Sequence, residues 1–369
     1  MAVFEGIDRL EEVLSELKAE KLLIVADGAY NYLPIKANIE KLPYNKVFFT
    51  GFSPNPLYED VVKGVELCGG AGCDIIIAIG GGSAIDVAKC IKLFSAMTLA
   101  EGENYLTGKP GDFKHRLIAI PTTAGTGSEA TRFAVIYYEG KKQSINDINI
   151  IPDCALLCPE VLETLPPFQK KCTYLDALCQ AMESRWSVNR TPEAEEYSKK
   201  AVKLLTENRD KYLFARGGRP AIEVCREVMR GANLAGRAIN ITQTTAAHAM
   251  SYKITSMFGL PHGAAVAVCF APVFEFTLKD ALSRGDSELL KILDELSDEV
   301  FGCEKELFAE NFRALLKKTE IEAPEASREQ LEVLAASVNP VRLKNHPSAF
   351  TEDDFINIYD KIMGDGKNG

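Results

Sequence analysis

The stretch DIIIAIGGGSAIDVAK, residues 74–89, decides the fold. Residues 74–79 form a short, continuous apolar run, which is typical of a strand buried on both faces of a parallel sheet. Residues 84–93 have the apolar spacing of a helix, and three glycines and a serine separate the two segments. A strand, a glycine turn and a helix in this order predict one β–α unit of an α/β domain.

The same alternation continues on both sides of this unit. Four further apolar runs predict strands, at residues 21–27, 46–49, 117–120 and 154–157. Helical spacing recurs at 59–68, and the segments 132–138 and 142–150, separated by Gly140, predict a hairpin.

After Pro159 the strand patterns stop and helical periods follow one another. We therefore predict a fold of class α/β with two domains. Residues 1–158 form a doubly wound parallel-sheet domain, residues 159–369 form an all-helical domain, and a cleft lies between them.

Composition narrows the classes of function. The 369 residues carry a net charge of −10, which argues against non-specific binding to nucleic acid or to an acidic membrane surface. The first residues lack the basic start and apolar run of a signal peptide, so we expect a cytoplasmic protein. The ten cysteines form no CxxC pair and are interpreted as small buried apolar residues.

The glycine turn is a candidate phosphate site. Gly80, Gly81 and Gly82 let the backbone approach a ligand closely, and Ser83 can cap the following helix. The first amides of a helix, together with its dipole, favour an anion there. Taken alone, the glycine run is equally compatible with a tight turn.

A second polar loop follows the strand at 117–120, in the sequence PTTAGTGSE. Hydroxyl groups and glycines at the carboxyl end of a parallel strand are what such a sheet presents to a ligand. Asp27 closes the first buried strand, where a carboxylate can bind a ribose 2′-hydroxyl and repel a 2′-phosphate. The alternative for Asp27 is a turn dipeptide with Gly28.

The helical half carries a possible metal-ligand pattern. Asp176 and Gln180 are four residues apart and interrupt an apolar helix, and His248 and His262 lie in one downstream segment. One carboxylate with two imidazoles suits a divalent cation such as Fe²⁺.

Four motifs together resemble the iron-containing (group III) alcohol dehydrogenase family. They are GGGSAIDVAK at 80–89, PTTAGTGSEAT at 121–131, DALCQAMES at 176–184 and the segment 248–262. The resemblance covers nearly the whole chain. It implies an N-terminal dinucleotide-binding domain, a helical metal- and substrate-binding domain, and an NAD(P)-dependent alcohol dehydrogenase or aldehyde reductase with bound Fe²⁺ or Zn²⁺.

The resemblance also implies residue roles. Asp176, His248 and His262 match metal ligands, and Gln180 stands where relatives have another histidine ligand. Because an amide oxygen is a weaker donor than imidazole, we expect lower metal affinity. Tyr252 replaces a further histidine and is a candidate proton donor. The implied cofactor-binding residues are Asp27, Gly80, Gly81, Gly82, Ser83, Asp86, Thr122, Thr123, Thr126 and Ser128.

Within the family, the stretches at 141–144, 184–189 and 238–263 are most similar to phosphonoacetaldehyde reductases, which form 2-hydroxyethylphosphonate. A phosphonate needs cations, and Arg132, Arg185 and Lys253 stand beside the motifs. The alternatives are a general short-chain alcohol dehydrogenase, a lyase or cyclase that uses NAD transiently, and a non-catalytic relative. We expect a homodimer.

Overall fold

The computed structural model describes residues 1–99 and 103–364. The chain divides by packing into two compact units. The first contains Met1–Leu165 and Ala221–Met229, and the second contains Pro166–Pro220 and Arg230–Gly369. The predicted ranges 1–158 and 159–369 differ from these units by a few residues at the boundary and by the segment Ala221–Met229, and the last five residues of the second range lie outside the described part.

Ten strands occur within the described residues. They are β1 (Ala2–Glu5), β2 (Lys21–Ala26), β3 (Asn45–Phe49), β4 (Ile75–Gly80), β5 (Met97–Thr98), β6 (Lys109–Pro110), β7 (Arg116–Pro121), β8 (Phe133–Tyr138), β9 (Lys141–Asn146) and β10 (Cys154–Leu157). Six of them form one sheet in the order β1-β10-β7-β4-β2-β3, and all its pairs are parallel.

The apolar runs form this sheet because both of its faces are buried. Every residue of β4 and β10 is buried, as are five of the six in β2. All five predicted strands are confirmed within a residue or two of their ends. The sequence did not indicate β1, an edge strand that pairs with β10 and remains largely accessible to solvent.

The hairpin excursion is also confirmed. Strands β8 and β9 pair in antiparallel register from Phe133↔Asn146 to Tyr138↔Lys141. Its second strand is shorter than predicted, because residues 148–150 form a 3₁₀ turn that Asp147 caps through the amide of Asn149.

The described residues include fifteen α-helices. They are α1 (Arg9–Glu16), α2 (Lys36–Lys41), α3 (Tyr58–Ala71), α4 (Gly82–Phe94), α5 (Glu160–Glu163), α6 (Pro167–Trp186), α7 (Pro192–Leu213), α8 (Ile222–Thr242), α9 (Ala246–Phe258), α10 (His262–Arg284), α11 (Ser287–Phe301), α12 (Phe308–Thr319), α13 (Arg328–Ala336), α14 (Pro340–Leu343) and α15 (Glu352–Met363). Among them, none is both long and apolar enough to cross a membrane.

Helix α6 is the central element of the second unit. Sixteen of its side chains, from Lys170 to Trp186, are buried, and it packs mainly against α7 and α10. Trp186 stacks on Phe270 of α10, with ring centroids 5.3 Å apart. The ten cysteines are all free, and nine of them are buried, as expected of small apolar residues.

Candidate nucleotide loops and metal centre

The two ligand loops and Asp27 lie at one edge of the sheet. Strands β2, β4 and β7 are neighbours in parallel register, so their carboxyl ends face the same way. Asp27 follows β2 directly, Gly81 follows β4, and the loop that starts at Thr122 follows β7. The sheet topology therefore brings together three segments that are far apart in the sequence.

Glycine allows these segments to approach closely. A Cβ atom on Gly80 would lie 2.8 Å from Oδ2 of Asp27, and one on Gly82 would lie 3.0 Å from Cγ2 of Thr126. A side chain at either position would push the neighbouring segment away. The glycine run is thus the contact surface between the first loop, Asp27 and the second loop.

Asp27 has both features that the sequence left as alternatives. Its Oδ1 accepts a hydrogen bond from the amide of Ala29 at 3.0 Å and caps the 3₁₀ turn Gly28–Tyr32. Its Oδ2 faces Gly80. The turn therefore fixes the carboxylate beside the glycine loop, with one oxygen on the side of that loop.

The predicted cap at Ser83 is wrong. Helix α4 begins at Gly82, two residues earlier than expected, and its N-cap is Gly81, which has no side chain. Ser83 therefore lies in the first helical turn. The anion site that the loop offers consists of backbone amides, which have no partner inside the helix at this end.

Asp86 and Ser128 join α4 to the second loop. Ser128 Oγ donates to Asp86 Oδ1 at 2.7 Å, and the amide of Val135 donates to Oδ2 of the same carboxylate at 2.9 Å. The resemblance implied cofactor contacts for both residues, which stay predictions, and the structure shows that both also shape the loop.

Lys89 strengthens the same connection, and the sequence analysis overlooked it. This fully buried side chain donates to Ser128 Oγ at 3.0 Å, to Thr131 Oγ1 at 3.1 Å and to the carbonyl oxygen of Phe133 at 2.7 Å. Burial lowers the pKa of Lys89 to about 8, although the nearby carboxylate of Asp86 opposes that shift. A buried polar network therefore connects the second loop to α4.

In the second unit, Asp176, His248 and His262 come together. Their potential ligand atoms all lie within 4.8 Å of one another. Nε2 of His248 is 3.3 Å from Oδ1 of Asp176, and Nε2 of His262 is 3.9 Å from the same oxygen. The side chains of Asp176 and His248 are 3% exposed, whereas that of His262 is 35% exposed. The cluster is thus closed on one side and accessible beside His262.

The close packing of α10 against α6 places His262 there. A Cβ atom on Gly263 would lie 2.1 Å from the carbonyl oxygen of Cys172 and 2.9 Å from Cβ of Asp176. Only glycine fits at this contact, so the Pro-His-Gly sequence is a packing requirement as well as the start of α10.

Glu183 holds His248 from the other side. Its Oε2 contacts Nδ1 of His248, and its Oε1 accepts from Thr245 Oγ1 at 2.8 Å and from the amide of Ala247 at 2.9 Å. Burial would raise the pKa of Glu183, but the charge and hydrogen bonds of His248 and Thr245 hold it below its ordinary value. The sequence analysis assigned no role to Glu183, although its spacing of seven residues from Asp176 put it on the same helix face.

The carboxylates next to His248 favour positive charge on its ring. Burial disfavours a charged imidazole, yet the carboxylates of Glu183 and Asp176 raise the pKa of His248 to about 10. One buried carboxylate and two imidazoles are a donor set suited to a divalent first-row metal. Asp176, His248 and His262 therefore fit the metal that the sequence implies.

Two further predicted residues lie in this unit. Gln180 is buried one turn after Asp176 on α6. The ring of Tyr252 is parallel to that of His262, with centroids 5.6 Å apart, which places it beside the more exposed ligand. Their predicted roles, as ligand and as proton donor, stay predictions.

The predicted substrate cations lie in different environments. Arg185 is buried and forms ion pairs with Glu295 at 2.6 Å and Glu299 at 2.9 Å on α11, which removes it from the candidate substrate residues. Lys253 is half-buried next to Tyr252 on α9, and Arg132 in the first unit lies over the ring of Phe133.

Arg342 is a cation that the sequence analysis missed. Its guanidinium carbon is 5.8 Å from the ring centroid of Tyr252, and its Nη1 donates to Thr244 Oγ1 at 3.4 Å. Nothing in the sequence around α14 indicated this position, because about ninety residues separate Arg342 from Tyr252.

Comparisons with known proteins agree with this geometry. Alcohol dehydrogenase 4 of Schizosaccharomyces pombe is 33% identical over 285 residues, which cover 76% of this chain and 64% of that protein. Phosphonoacetaldehyde reductase of Streptomyces viridochromogenes is 34% identical over 248 residues, which cover 62% of this chain and 61% of that protein. The chain thus matches less than two thirds of the length of either relative.

Solved structures show the same fold. Sulfoacetaldehyde reductase from Bifidobacterium kashiwanohense, determined in complex with NAD⁺, superposes with a TM-score of 0.87 at 24% identity, covering 99% of this chain and 97% of that one. A sequence profile of the iron-containing alcohol dehydrogenases matches residues 2–159, and the profile of the C-terminal part of that family matches residues 171–363. The chain therefore belongs to the iron-containing alcohol dehydrogenase family, a family of NAD(P)-dependent dehydrogenases and reductases.

Proposed function

We propose that this chain is an NAD(P)H-dependent, metal-assisted aldehyde reductase, and that its substrate is phosphonoacetaldehyde, reduced to 2-hydroxyethylphosphonate. The observation that carries the reaction class is the cluster of Asp176, His248 and His262, which is closed around its carboxylate and open beside His262. This arrangement leaves room for a carbonyl oxygen next to a bound cation.

The metal ligands and Tyr252 have separate roles in the proposed reaction. Fe²⁺, or Zn²⁺ in its place, bound by Asp176, His248 and His262 would polarise the aldehyde oxygen as a Lewis acid. Bound NADH would supply the hydride for the aldehyde carbon, and Tyr252 or water would donate the proton to the oxygen. Because a phenol has an unperturbed pKa of about 10, Tyr252 suits proton donation near neutral pH better than proton abstraction.

The edge of the sheet supplies the dinucleotide site. The first amides of α4, which follow Gly81, bind the pyrophosphate, and the threonines of the second loop line the same edge. The carboxylate of Asp27 binds a ribose hydroxyl, so we propose NADH rather than NADPH as the preferred coenzyme. The proposed contacts are with Asp27, Gly80, Gly81, Gly82, Ser83, Asp86, Thr122, Thr123, Thr126 and Ser128.

The substrate assignment rests on the similarity to a 34% identical phosphonoacetaldehyde reductase and on basic side chains near Tyr252. An unpaired phosphonate is costly to bury, so the site needs positive charge. Two candidate cations are Lys253, which follows Tyr252 in the sequence, and Arg342, whose guanidinium lies against the ring of Tyr252. Arg132 is a further candidate in the first unit.

A second candidate function is a general short-chain alcohol dehydrogenase, which the relative named alcohol dehydrogenase 4 favours. The deciding experiment measures NADH oxidation with phosphonoacetaldehyde, propanal and butanal. We expect kcat/KM to favour the anionic aldehyde about a hundredfold, since charge-assisted hydrogen bonds contribute a few kcal/mol. Equal turnover of butanal and phosphonoacetaldehyde would leave only the general function.

One NAD⁺ formed per alcohol would reject a lyase or cyclase that uses NAD transiently. The expected homodimer is tested by the mass of the protein in solution.

A further inference from the structure

The carboxylate of Glu183 contacts both a metal ligand, His248, and the N-terminus of α9. One carboxylate oxygen reaches Nδ1 of His248, and the other accepts from Thr245 Oγ1 and from the amides of Ala247 and His248, at 2.8, 2.9 and 3.4 Å. The side chain is completely buried. A buried carboxylate is costly unless its oxygens are satisfied, and here both oxygens are satisfied by the segment that carries a metal ligand.

These contacts cap the N-terminus of α9. Thr245 is the N-cap residue of this helix, and its own side chain makes no capping bond. Thr245 Oγ1 instead accepts a hydrogen bond from Trp186 Nε1 at 2.9 Å and donates one to Glu183. The carboxylate of Glu183 in turn accepts from the first amides of the helix. The carboxylate therefore fixes the start of α9 against α6, the helix that carries Asp176.

The contact with Nδ1 also determines which imidazole nitrogen is available. An ionised Glu183 accepts only, so Nδ1 of the neutral His248 carries the proton and donates it. With a metal bound, the lone pair would lie on Nε2, the nitrogen that faces Oδ1 of Asp176 at 3.3 Å. A metal ligand must present an unprotonated nitrogen, and a carboxylate on the opposite ring nitrogen makes that nitrogen a stronger donor.

We propose that Glu183 is the positioning residue of the metal site: it selects the tautomer and orientation of His248 and supplies a second negative charge beside Asp176. This inference rests on the metal-assisted function proposed above. On His262, Nδ1 lies 3.5 Å from the hydroxyl of Ser251.

Glu183→Gln separates the two roles of this carboxylate. The amide has the same size, and its oxygen can still accept at the N-terminus of α9, so the helix keeps its cap. Its NH₂ group, however, donates to Nδ1 and thereby forces the proton onto Nε2, where a metal would bind. Removing such an outer contact typically costs about 10–100-fold in metal affinity.

The experiment measures the dissociation constants of Fe²⁺ and Co²⁺ for the whole protein under anaerobic conditions, by competition with a chelator. Circular dichroism and thermal unfolding verify the fold, and the visible spectrum of bound Co²⁺ reports the ligand field. We expect Glu183→Gln to weaken binding about 10–100-fold with a changed Co²⁺ spectrum. Glu299→Gln is the matched control: it removes another carboxylate that contacts α6, through Arg185, and it should leave both readouts unchanged.

A folded Glu183→Gln variant with the wild-type dissociation constant and spectrum would overturn the proposal. Equal weakening by Glu299→Gln would also overturn it, because any lost charge would then suffice. If Glu183→Gln does not fold, Glu183→Asp tests the contact alone, because it keeps the charge but withdraws the carboxylate from Nδ1; weaker metal binding is expected, and the wild-type dissociation constant and Co²⁺ spectrum would overturn the proposal. Wild-type protein that binds neither metal would instead reject the metal in the proposed function, so the two failures can be told apart.

Discussion

Gly263 packs so closely on Cys172 that a single added methyl group would lie 2.1 Å from the carbonyl oxygen of Cys172. This contact between the start of α10 and the second turn of α6 sets the separation of His262 from Asp176, whose nearest ligand atoms are 3.9 Å apart. A backbone contact thus determines whether two metal ligands can share a cation.

Gly263→Ala should therefore damage stability and the metal site together. The added methyl meets backbone rather than a flexible side chain, so the helices must separate, at a cost of about 1–3 kcal/mol or more. Urea unfolding and retained metal after dialysis measure the two effects. Gly69→Ala is the control, because nothing lies within 4 Å of its added methyl group in α3. Unchanged metal retention in Gly263→Ala would contradict the packing argument.

Metal affinity should depend steeply on pH. In the metal-free protein the pKa of His248 is raised to about 10, so the imidazole is protonated at neutral pH and must lose that proton when a metal binds. Below that pKa, each unit of falling pH should weaken binding about tenfold. Dissociation constants measured between pH 6 and 8 test this slope, and a flat profile would show that His248 is neutral without metal.

Much of the fold follows from short-range pattern, and much of the site does not. Apolar runs predicted β2, β4 and β7 because strands buried on both faces carry no polar residues. The edge strand β1 lacks that signature. Asp176, His248 and His262 stood out by residue type, whereas their convergence depends on how α6, α9 and α10 pack.

Helix geometry explains why Glu183 belongs to the metal site, which the sequence analysis overlooked, and why the assignment of Arg185 to the substrate was wrong. At about 100° per residue, Glu183 lies about 20° from Asp176 around α6, and Arg185 lies about 180° away. Arg185 was assigned to the substrate because it follows the metal motif in sequence, but its helix face points toward Glu295 and Glu299. Adjacency along a helix is therefore a poor guide to a shared site.

Asp27 should determine coenzyme preference. Its carboxylate lies beside Gly80, where it would repel a 2′-phosphate. We expect Asp27→Gly to narrow the ratio of kcat/KM for NADH over NADPH by about tenfold, on the scale of one lost charge-assisted hydrogen bond. Asp147→Gly is the matched control, because Asp147 caps a similar 3₁₀ turn. A wild-type protein that prefers NADPH would reject the role of Asp27.

His346 should make the fold sensitive to acid. It is buried, its Nε2 lies 3.0 Å from Thr277 Oγ1, and burial lowers its pKa to about 4 from an ordinary value of about 6.5. The unfolded chain binds the proton more readily, so stability is full above about pH 6.5 and falls toward pH 4, by up to about 3 kcal/mol. Urea unfolding from pH 4.5 to 7 measures this loss of stability, which should be smaller in His346→Gln than in the wild-type protein. Parallel pH profiles would exclude His346 as the cause.

The most direct test of the metal-assisted reductase is an anaerobic titration of metal-stripped protein with Fe²⁺ in the presence of NADH and phosphonoacetaldehyde. We expect NADH oxidation to rise in proportion to bound Fe²⁺ until each chain holds one ion, with one alcohol formed per NADH consumed. The variant His262→Ala should remain inactive throughout the titration while keeping its fold. Full NADH oxidation by the metal-free protein, or none after each chain has bound one ion, would contradict the account.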